Sequence, residues 1–288
     1  LNCGFTPDGD FPGIYAEKGM CAMTVYSKNT RIISMEGGFV TNAVCDRCTT
    51  RINAADADAD KLRAALGEMP LTSYSVSEEG GVITIFAQGT AAHASTPHLG
   101  VNAAGCTMAA LLAAGMRDDF VDFYMSRIGT SCDGEGLGLK IEDEYSDLTL
   151  NNGIVKTENG VISATIDIRY PVTYTPEKIL ELCAPFLEDE KGRVEVGSVV
   201  EPLFYPRDSV LVNSLLEAYQ EVTGDMEREP MVIGGGTYAK SVPGIIAFGC
   251  EFPDTDNHIH DKNESLSLEE WDMQVEIYKA AIRKLLGR

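Results

Sequence analysis

Two well-separated hairpin patterns constrain the fold of this chain more than any other feature of its sequence. The first, SYSVSEEGGVITIFAQGT, alternates apolar and polar residues on both sides of an EEGG turn. The second, DLTLNNGIVKTENGVISATIDIRYPV, does the same around TENG. Because alternation with a period of two residues and tight glycine turns are typical of paired antiparallel strands, both stretches predict β-hairpins.

Helical patterns accompany these hairpins. DADADKLRAAL begins with acidic residues and repeats apolar residues at helical spacing, NAAGCTMAALLAAGM predicts a buried helix, and TPEKILELCAPFL predicts a helix with Thr175 as its N-cap. Further strands are predicted between GMCAMTVYSK and TRINA and in GRVEVGSVVEPL. We therefore expect two tandem α+β units over residues 23–200, about 23–115 and 116–200, whose sheets adjoin and are covered by helices on one face.

The pattern changes after residue 200. NSLLEAYQEVTG predicts a helix, REPMVIGGGTYA a strand that enters a glycine-rich turn, GIIAFG a buried strand, and SLEEWDMQVEIYKAAIRKLLGR a terminal helix. Nearly continuous apolar strands that alternate with helices are typical of an α/β domain with a parallel or mixed sheet. Two strands and two helices cannot form a doubly covered sheet, so we expect the remainder of this domain to come from outside the given sequence, N-terminal to Leu1.

Composition excludes several classes of function. A formal net charge of -21 argues against nucleic acid binding, because phosphates would be repelled. The eight cysteines are scattered rather than dense, which fits a reducing cytoplasm, and the CDRC pair lacks the second pair of a structural zinc site. No stretch approaches the roughly 20 apolar residues that span a bilayer. We expect a cytoplasmic protein with no membrane partner.

Three short motifs carry candidate chemistry. In DTDNHIHDKNES, two histidines that alternate along an extended segment would point to opposite sides, so at most one of His258 and His260 is expected to bind a given metal ion; a polar surface loop is the alternative. TPDGDFP projects a carboxylate, Asp8, from a proline-bounded turn, for which a plain turn is the alternative. IGGGTYAK could present backbone N–H groups to an anion, but it lacks the Gly-Lys-Ser/Thr ending of a phosphate loop.

Five stretches, taken in order, resemble the di-zinc dipeptidases of the aminoacylase and carboxypeptidase superfamily, and within it the PepV-like bacterial dipeptidases. They are GFTPDGDFPGIYAEKG, GTAAHASTPHLGVNAA, LTLNNGIV with DIRYPV, IGGGTYAK and HDKNES. The resemblance extends over essentially the whole chain. It implies a fold that is both α/β and α+β: an incomplete α/β metallopeptidase catalytic domain, from residues 1–22 and 201–288, with an inserted lid of two ferredoxin-like α+β sandwich units at residues 23–200.

The resemblance also implies roles for individual residues. The implied metal ligands are Asp8 and His260, the latter in a His-x-x-Asn-Glu pattern. The implied catalytic residue is His93, which would reach from the lid and donate to the oxyanion of the tetrahedral intermediate. The implied substrate-binding residues are Asn42, Arg169, Gly234, Gly235, Gly236 and Thr237. Arg169 would clamp the substrate carboxylate; a strand arginine paired with Asp167 and a capping histidine are the alternatives for Arg169 and His93.

The implied activity is hydrolysis of small dipeptides by a zinc-activated water, with two zinc ions in a complete enzyme. The family's His-x-Asp motif, bridging Asp and Glu-Glu pair have no counterpart in this sequence. We therefore expect the chain to be the C-terminal two-thirds of a longer enzyme, with poor zinc affinity and weak or no activity by itself, and either homodimeric or completed by an N-terminal segment. A non-catalytic interaction module and an amide hydrolase of the aminoacylase or desuccinylase type are the alternatives.

Overall fold

The computed structural model describes residues 3–255, 257–259 and 262–287. The strands in this part of the chain are β1 (Gly4–Thr6), β2 (Gly9–Asp10), β3 (Ile14–Glu17), β4 (Gly19–Ser27), β5 (Ile32–Gly37), β6 (Arg47–Asn53), β7 (Ser73–Glu79), β8 (Val82–Gln88), β9 (Thr149–Glu158), β10 (Val161–Tyr170), β11 (Gly192–Val200), β12 (Leu203–Phe204), β13 (Met231–Ile233), β14 (Ile245–Ala247) and β15 (Cys250–Glu251). The α-helices are α1 (Ala59–Gly67), α2 (Ala103–Ala113), α3 (Asp119–Arg127), α4 (Pro176–Cys183), α5 (Val210–Thr223) and α6 (Leu268–Leu285). The predicted mixture of α/β and α+β structure is confirmed.

The chain divides into two compact units. The terminal unit consists of residues 1–18 and 202–288, and the central unit consists of residues 19–201. Short 3₁₀ helices, Pro97–Leu99, Glu135–Leu137 and Ala184–Phe186 in the central unit and Tyr238–Ser241 in the terminal unit, complete the secondary structure of the described residues. Within those residues, no helix combines the length and the apolar character needed to cross a bilayer.

The central unit is built on one eight-stranded antiparallel sheet, in the order β11-β4-β10-β9-β5-β6-β8-β7. Both predicted hairpins are confirmed, since β7 pairs with β8 and β9 pairs with β10. Their turns adopt the left-handed backbone that such tight connections need: φ is 59° and 77° at Gly80 and Gly81, and 52° and 77° at Asn159 and Gly160.

The strands of the two expected α+β units are interleaved in this sheet. β4 belongs to the first expected unit, but it lies between β10 and β11, which belong to the second. The two expected units therefore share one sheet and do not have separate sheets. An alternating pattern indicates a strand with one buried face, but it carries no information about a partner far away in the sequence. The pairing of β4 therefore could not be assigned from the sequence.

One face of the sheet is buried against helices. Alternate residues of β4 and β10, among them Met23, Val25 and Ile166, join a core to which α1 to α4 all contribute. Helix ends agree with their capping residues: the Asp58 side chain accepts from the N–H groups of Asp60 and Lys61, and the Thr175 hydroxyl accepts from Lys178, as predicted.

The terminal unit contains a five-stranded mixed sheet. β14 lies between β1 and β3, and β3 also pairs with β12 and β13, while β2 and β15 form a separate parallel pair. The N-terminal segment thus supplies strands to the sheet that the tail sequence alone could not complete. Helices α5 and α6 pack against each other, and aromatic side chains including Phe5, Phe11 and Phe248 contact Tyr278 of α6.

Candidate functional site

In the terminal unit, Asp8 lies beside the glycine-rich turn. Its Oδ2 accepts a hydrogen bond of 2.7 Å from the backbone N–H of Tyr238, the first residue of the 3₁₀ helix that follows the turn. This bond fixes one oxygen of a half-buried carboxylate and orients the other. The structure therefore brings together Asp8 and the turn of residues 234–237, which are 226 or more positions apart in the sequence.

A buried carboxylate holds the end of the same turn. Glu17 ends β3 and is 0 % exposed, and its two oxygens accept from the backbone N–H of Thr237 at 3.0 Å and from the Thr237 hydroxyl at 2.5 Å. The same hydroxyl accepts from the N–H of Ala239. Because the Thr237 hydroxyl donates to Glu17, it shapes the turn. Sequence analysis missed Glu17, although a charged residue that follows the apolar run GIYA is a recognisable signal.

The glycines of the turn are not explained by backbone conformation. None of Gly234, Gly235 and Gly236 has a positive φ. A Cβ at Gly235 would meet only Cδ1 of Ile233, at an ordinary contact distance of 3.5 Å. Neither its φ angle nor close packing requires glycine at position 235. The absence of a side chain at Gly235 instead lets another group approach the backbone of the turn closely.

The described residues do not by themselves make up a metal centre. In residues 3–255, 257–259 and 262–287, no three His, Cys, Asp or Glu side chains are grouped so that they could hold a metal ion. His260, the second expected ligand, lies outside the described residues. His258 is exposed, with φ at 54°, so the expectation of an extended backbone there is wrong, because the chain turns at this residue. Asn263 and Glu264 are exposed.

In the central unit, backbone hydrogen bonds join the segments that carry Asn42 and His93. Their segments form an antiparallel bridge between Ala43 and His93. The N–H of Ala94 donates to the carbonyl of Asn42 at 2.9 Å, and the N–H of Val44 donates to the carbonyl of Ala92 at 2.9 Å. Both Asn42 and His93 are exposed. Two exposed residues from different loops thus lie on segments that are hydrogen-bonded to each other.

The His93 ring is oriented by Ser95. The backbone N–H of Ser95 donates to Nδ1 of His93 at 3.2 Å, and the Ser95 hydroxyl lies 2.7 Å from the same nitrogen. A ring nitrogen that accepts from a backbone N–H carries no proton itself, so the neutral imidazole holds its proton on Nε2. Nε2 is therefore the nitrogen that can donate from this ring.

Arg169 is 7 % exposed and forms a two-pronged ion pair on its own strand. Its Nε and Nη2 donate to the two carboxylate oxygens of Asp167 at 2.6 and 2.7 Å. Cross-strand register places Asp167 opposite Asn151 of β9 and Arg169 opposite Thr149. Directly opposed residues share a face of a sheet. The ion pair therefore lies on the sheet face that carries Asn151, whose side chain contacts the segment of Asn42.

Comparisons with known proteins find relatives that are named as dipeptidases. The chain is 30% identical over 299 residues to a Staphylococcus haemolyticus protein named "Putative dipeptidase", covering 98% of this chain and 63% of that protein. A Staphylococcus aureus (strain USA300) protein of the same name is 30% identical over 302 residues, with the same coverage. The chain thus spans less than two thirds of the length of these relatives. No protein-family model matches it.

Among solved structures, an M20 family metallo-carboxypeptidase from Sulfolobus solfataricus aligns with 97% of this chain and 62% of its own, at 12% identity and a TM-score of 0.41.

Proposed function

We propose that this chain is part of a metal-dependent dipeptidase that hydrolyses the peptide bond of small dipeptides. The observation that carries the proposal is the antiparallel bridge between Ala43 and His93, which joins the exposed segments that carry Asn42 and His93 in the central unit. His93 has a proton on Nε2 and is the group proposed to donate to the oxygen of the attacked carbonyl, while Asn42 binds the substrate beside it. The similarity to staphylococcal proteins named as dipeptidases supports the same substrate class.

The turn of residues 234–237 is the proposed site for the substrate carboxylate. Its backbone is held by Glu17 through Thr237, and Gly235 has no side chain to obstruct approach. In this proposal Thr237 positions the turn, and Gly234, Gly235 and Gly236 contact the substrate. Arg169, whose guanidinium is oriented by Asp167, is a further residue proposed to bind the substrate.

Two zinc ions are the proposed cofactor of the complete enzyme, with Asp8 and His260 among their ligands. Zinc would supply an activated water for hydrolysis. The described residues contain Asp8 but no group of three ligands, so they do not fit a complete zinc site.

The test is an assay of the purified protein, supplied in turn with zinc, manganese and cobalt, against a panel of dipeptides. Because the described residues lack a complete zinc site, we expect hydrolysis of dipeptides by this chain to be weak, and we expect His93→Ala to lower its kcat by about 100- to 1,000-fold, the usual effect of removing one oxyanion donor. His98→Ala is the matched control, since His98 is also exposed and lies five positions further along the chain. Equal activity of the two variants, or no hydrolysis of any dipeptide, would contradict the proposal.

The second candidate is a non-catalytic binding module, favoured by the absence of a three-ligand group from the described residues. If the protein is such a module, we expect the purified protein to contain no stoichiometric metal and to show no turnover.

A related amide hydrolase is separated from a dipeptidase by adding N-acetylated and N-succinylated amino acids to the panel, because only the amide hydrolase would prefer them.

A further inference from the structure

A single buried side chain connects β9 to the segment that carries Asn42. Asn151 is 2 % exposed, and its Nδ2 donates to the carbonyl of Thr41 and to the carbonyl of Ala43, both at 3.1 Å. These two carbonyls lie on either side of Asn42. Because both partners are acceptors, the orientation of the amide is fixed: only the NH₂ group can face them.

The backbone around this contact is closely packed. Gly153, two residues further along the strand, lies under the same segment: a Cβ at that position would be 2.4 Å from the carbonyl oxygen of Thr41. The Asn42 segment then pairs with the His93 segment through the Ala43–His93 bridge. Asn151 therefore holds Asn42 directly and His93 through one further pair of hydrogen bonds.

The neighbouring residue offers a comparison with the same chemistry and a different target. Asn152 is equally buried, at 2 %, and its Nδ2 also donates to two carbonyls, those of Ile154 and Thr165. Its Oδ1 accepts from the Tyr124 hydroxyl at 2.7 Å. Successive side chains of a strand point to opposite faces. Asn152 thus stabilises the core side of the sheet, whereas Asn151 faces the Asn42 segment.

We infer that Asn151 is a positioning residue, whose NH₂ group sets the geometry of Asn42 and His93 as a pair. The expected effect of Asn151 on kcat rests on the proposed function, whereas its expected effect on the backbone around Asn42 and His93 does not. Asn151 has no role in the fold comparable to that of Asn152, since the Oδ1 of Asn151 has no hydrogen-bond partner among the described residues. An asparagine is used here for its two donors.

The test compares Asn151→Ala, Asn151→Asp and Asn152→Ala by amide hydrogen exchange and by kinetics. Asp keeps the size of the side chain but has no N–H to donate to the two carbonyls. We expect both Asn151 variants to speed exchange of the Ala94 and Val44 amides by at least about 10-fold, with amides of α1 and α2 unchanged. Asn152→Ala should speed exchange throughout the central unit, since it removes core hydrogen bonds.

In the same proteins, at a temperature where each is folded, kcat for a dipeptide should fall at least about 10-fold in the Asn151 variants and stay within about twofold of wild type in Asn152→Ala.

Wild-type exchange at Ala94 and Val44 in Asn151→Asp would overturn the inference, and so would an Asn151→Ala protein that matches Asn152→Ala in both measurements. If Asn151→Ala does not fold, Asn151→Asp decides. If the wild-type protein hydrolyses no dipeptide, the proposed function fails, while the exchange data still decide whether Asn151 positions the pair.

Discussion

Glu17 and Thr237, 220 positions apart, are joined by two hydrogen bonds, one to the backbone N–H and one to the hydroxyl of the threonine. The pair ties the end of β3 to the end of the glycine-rich turn. Since Glu17 is fully buried, no water can replace either bond. The shape of the proposed carboxylate site thus depends on a residue that would not itself contact the substrate.

Removing either partner should destabilise the terminal unit. We expect Glu17→Ala to lower the free energy of unfolding by about 2–4 kcal/mol, because it leaves two buried donors unpaired. Glu17→Gln should cost about 1–3 kcal/mol, because its NH₂ group cannot accept one of the two bonds. The chain has a single tryptophan, Trp271 in α6, so its fluorescence during urea unfolding reports this unit specifically.

Thr237 provides the matched pair for this measurement. Thr237→Ser keeps the hydroxyl and should be close to wild type, whereas Thr237→Val removes it and should cost about 1–3 kcal/mol. If Thr237→Val unfolds at the same urea concentration as Thr237→Ser, the hydroxyl bond to Glu17 does not stabilise the turn.

Asp10 predicts a dependence of stability on pH in the same unit. Partial loss of solvation raises the pKa of the Asp10 carboxyl above its ordinary value of 3.8 although the residue is exposed, and the negative charge of Glu251, its register partner in the β2–β15 pair, raises the pKa further. The folded state therefore favours the protonated form. The stability that this provides is fully present below pH 3.8 and is lost as pH rises through the folded-state pKa.

It follows that Asp10→Asn should raise the urea midpoint as pH rises through the folded-state pKa of Asp10, where the wild-type carboxyl becomes charged. The difference should shrink as pH falls towards 3.8. Asp272→Asn, which removes an exposed carboxylate from α6, is the control and should not show this trend. Equal midpoints for wild type and Asp10→Asn at pH 7 would mean that loss of solvation and Glu251 do not act on Asp10.

The cysteines should differ widely in reactivity. Burial raises the pKa of Cys45 to about 12 and that of Cys48 higher still, and both side chains are at most 1 % exposed. Cys3, in contrast, is exposed. Since the thiolate is the reactive form, we expect iodoacetamide at pH 8 to modify Cys3 at least about 100-fold faster than Cys45 or Cys48. Peptide mass spectrometry measures the rates. The difference should disappear in about 8 M urea, in which we expect the protein to be unfolded.

Local sequence patterns predicted most of the helices and strands, whereas the features that were not predicted depend on contacts between residues far apart in the sequence. The EEGG and TENG turns were found because turn chemistry is contained in a few residues. Helix α3 was not predicted, although Asp118 caps it and Phe120, Phe123 and Tyr124 follow at helical spacing; its aromatic and β-branched residues have low intrinsic helix propensity, and packing in the core overrides that preference.

The candidate site shows the same division. Asn42, His93, Arg169 and the glycine turn were named from motifs, but Glu17 and Asn151 were not, because their roles depend on partners 108 to 220 positions away. A signal for Asn151 was present. Two asparagines in the middle of the strand pattern LTLNNGIV are unfavourable for a strand, and this indicates that something other than strand propensity keeps them there.

The last prediction concerns Arg169 and Asp167, whose side chains are 8% and 16% exposed. Asp167→Asn would leave a buried guanidinium without its charged partner and should cost about 3–5 kcal/mol, while the double variant Asp167→Asn with Arg169→Met should cost less than the single one, because no unpaired charge remains. Circular dichroism during urea unfolding gives the three free energies. For the proposed function the kinetic effect is informative as well: if Asp167 orients Arg169 towards the substrate carboxylate, Asp167→Asn raises KM for a dipeptide with little change in kcat. A double variant as unstable as the single one would show that the pair does not act as a unit, and an unchanged KM in Asp167→Asn would remove Arg169 from the proposed substrate site.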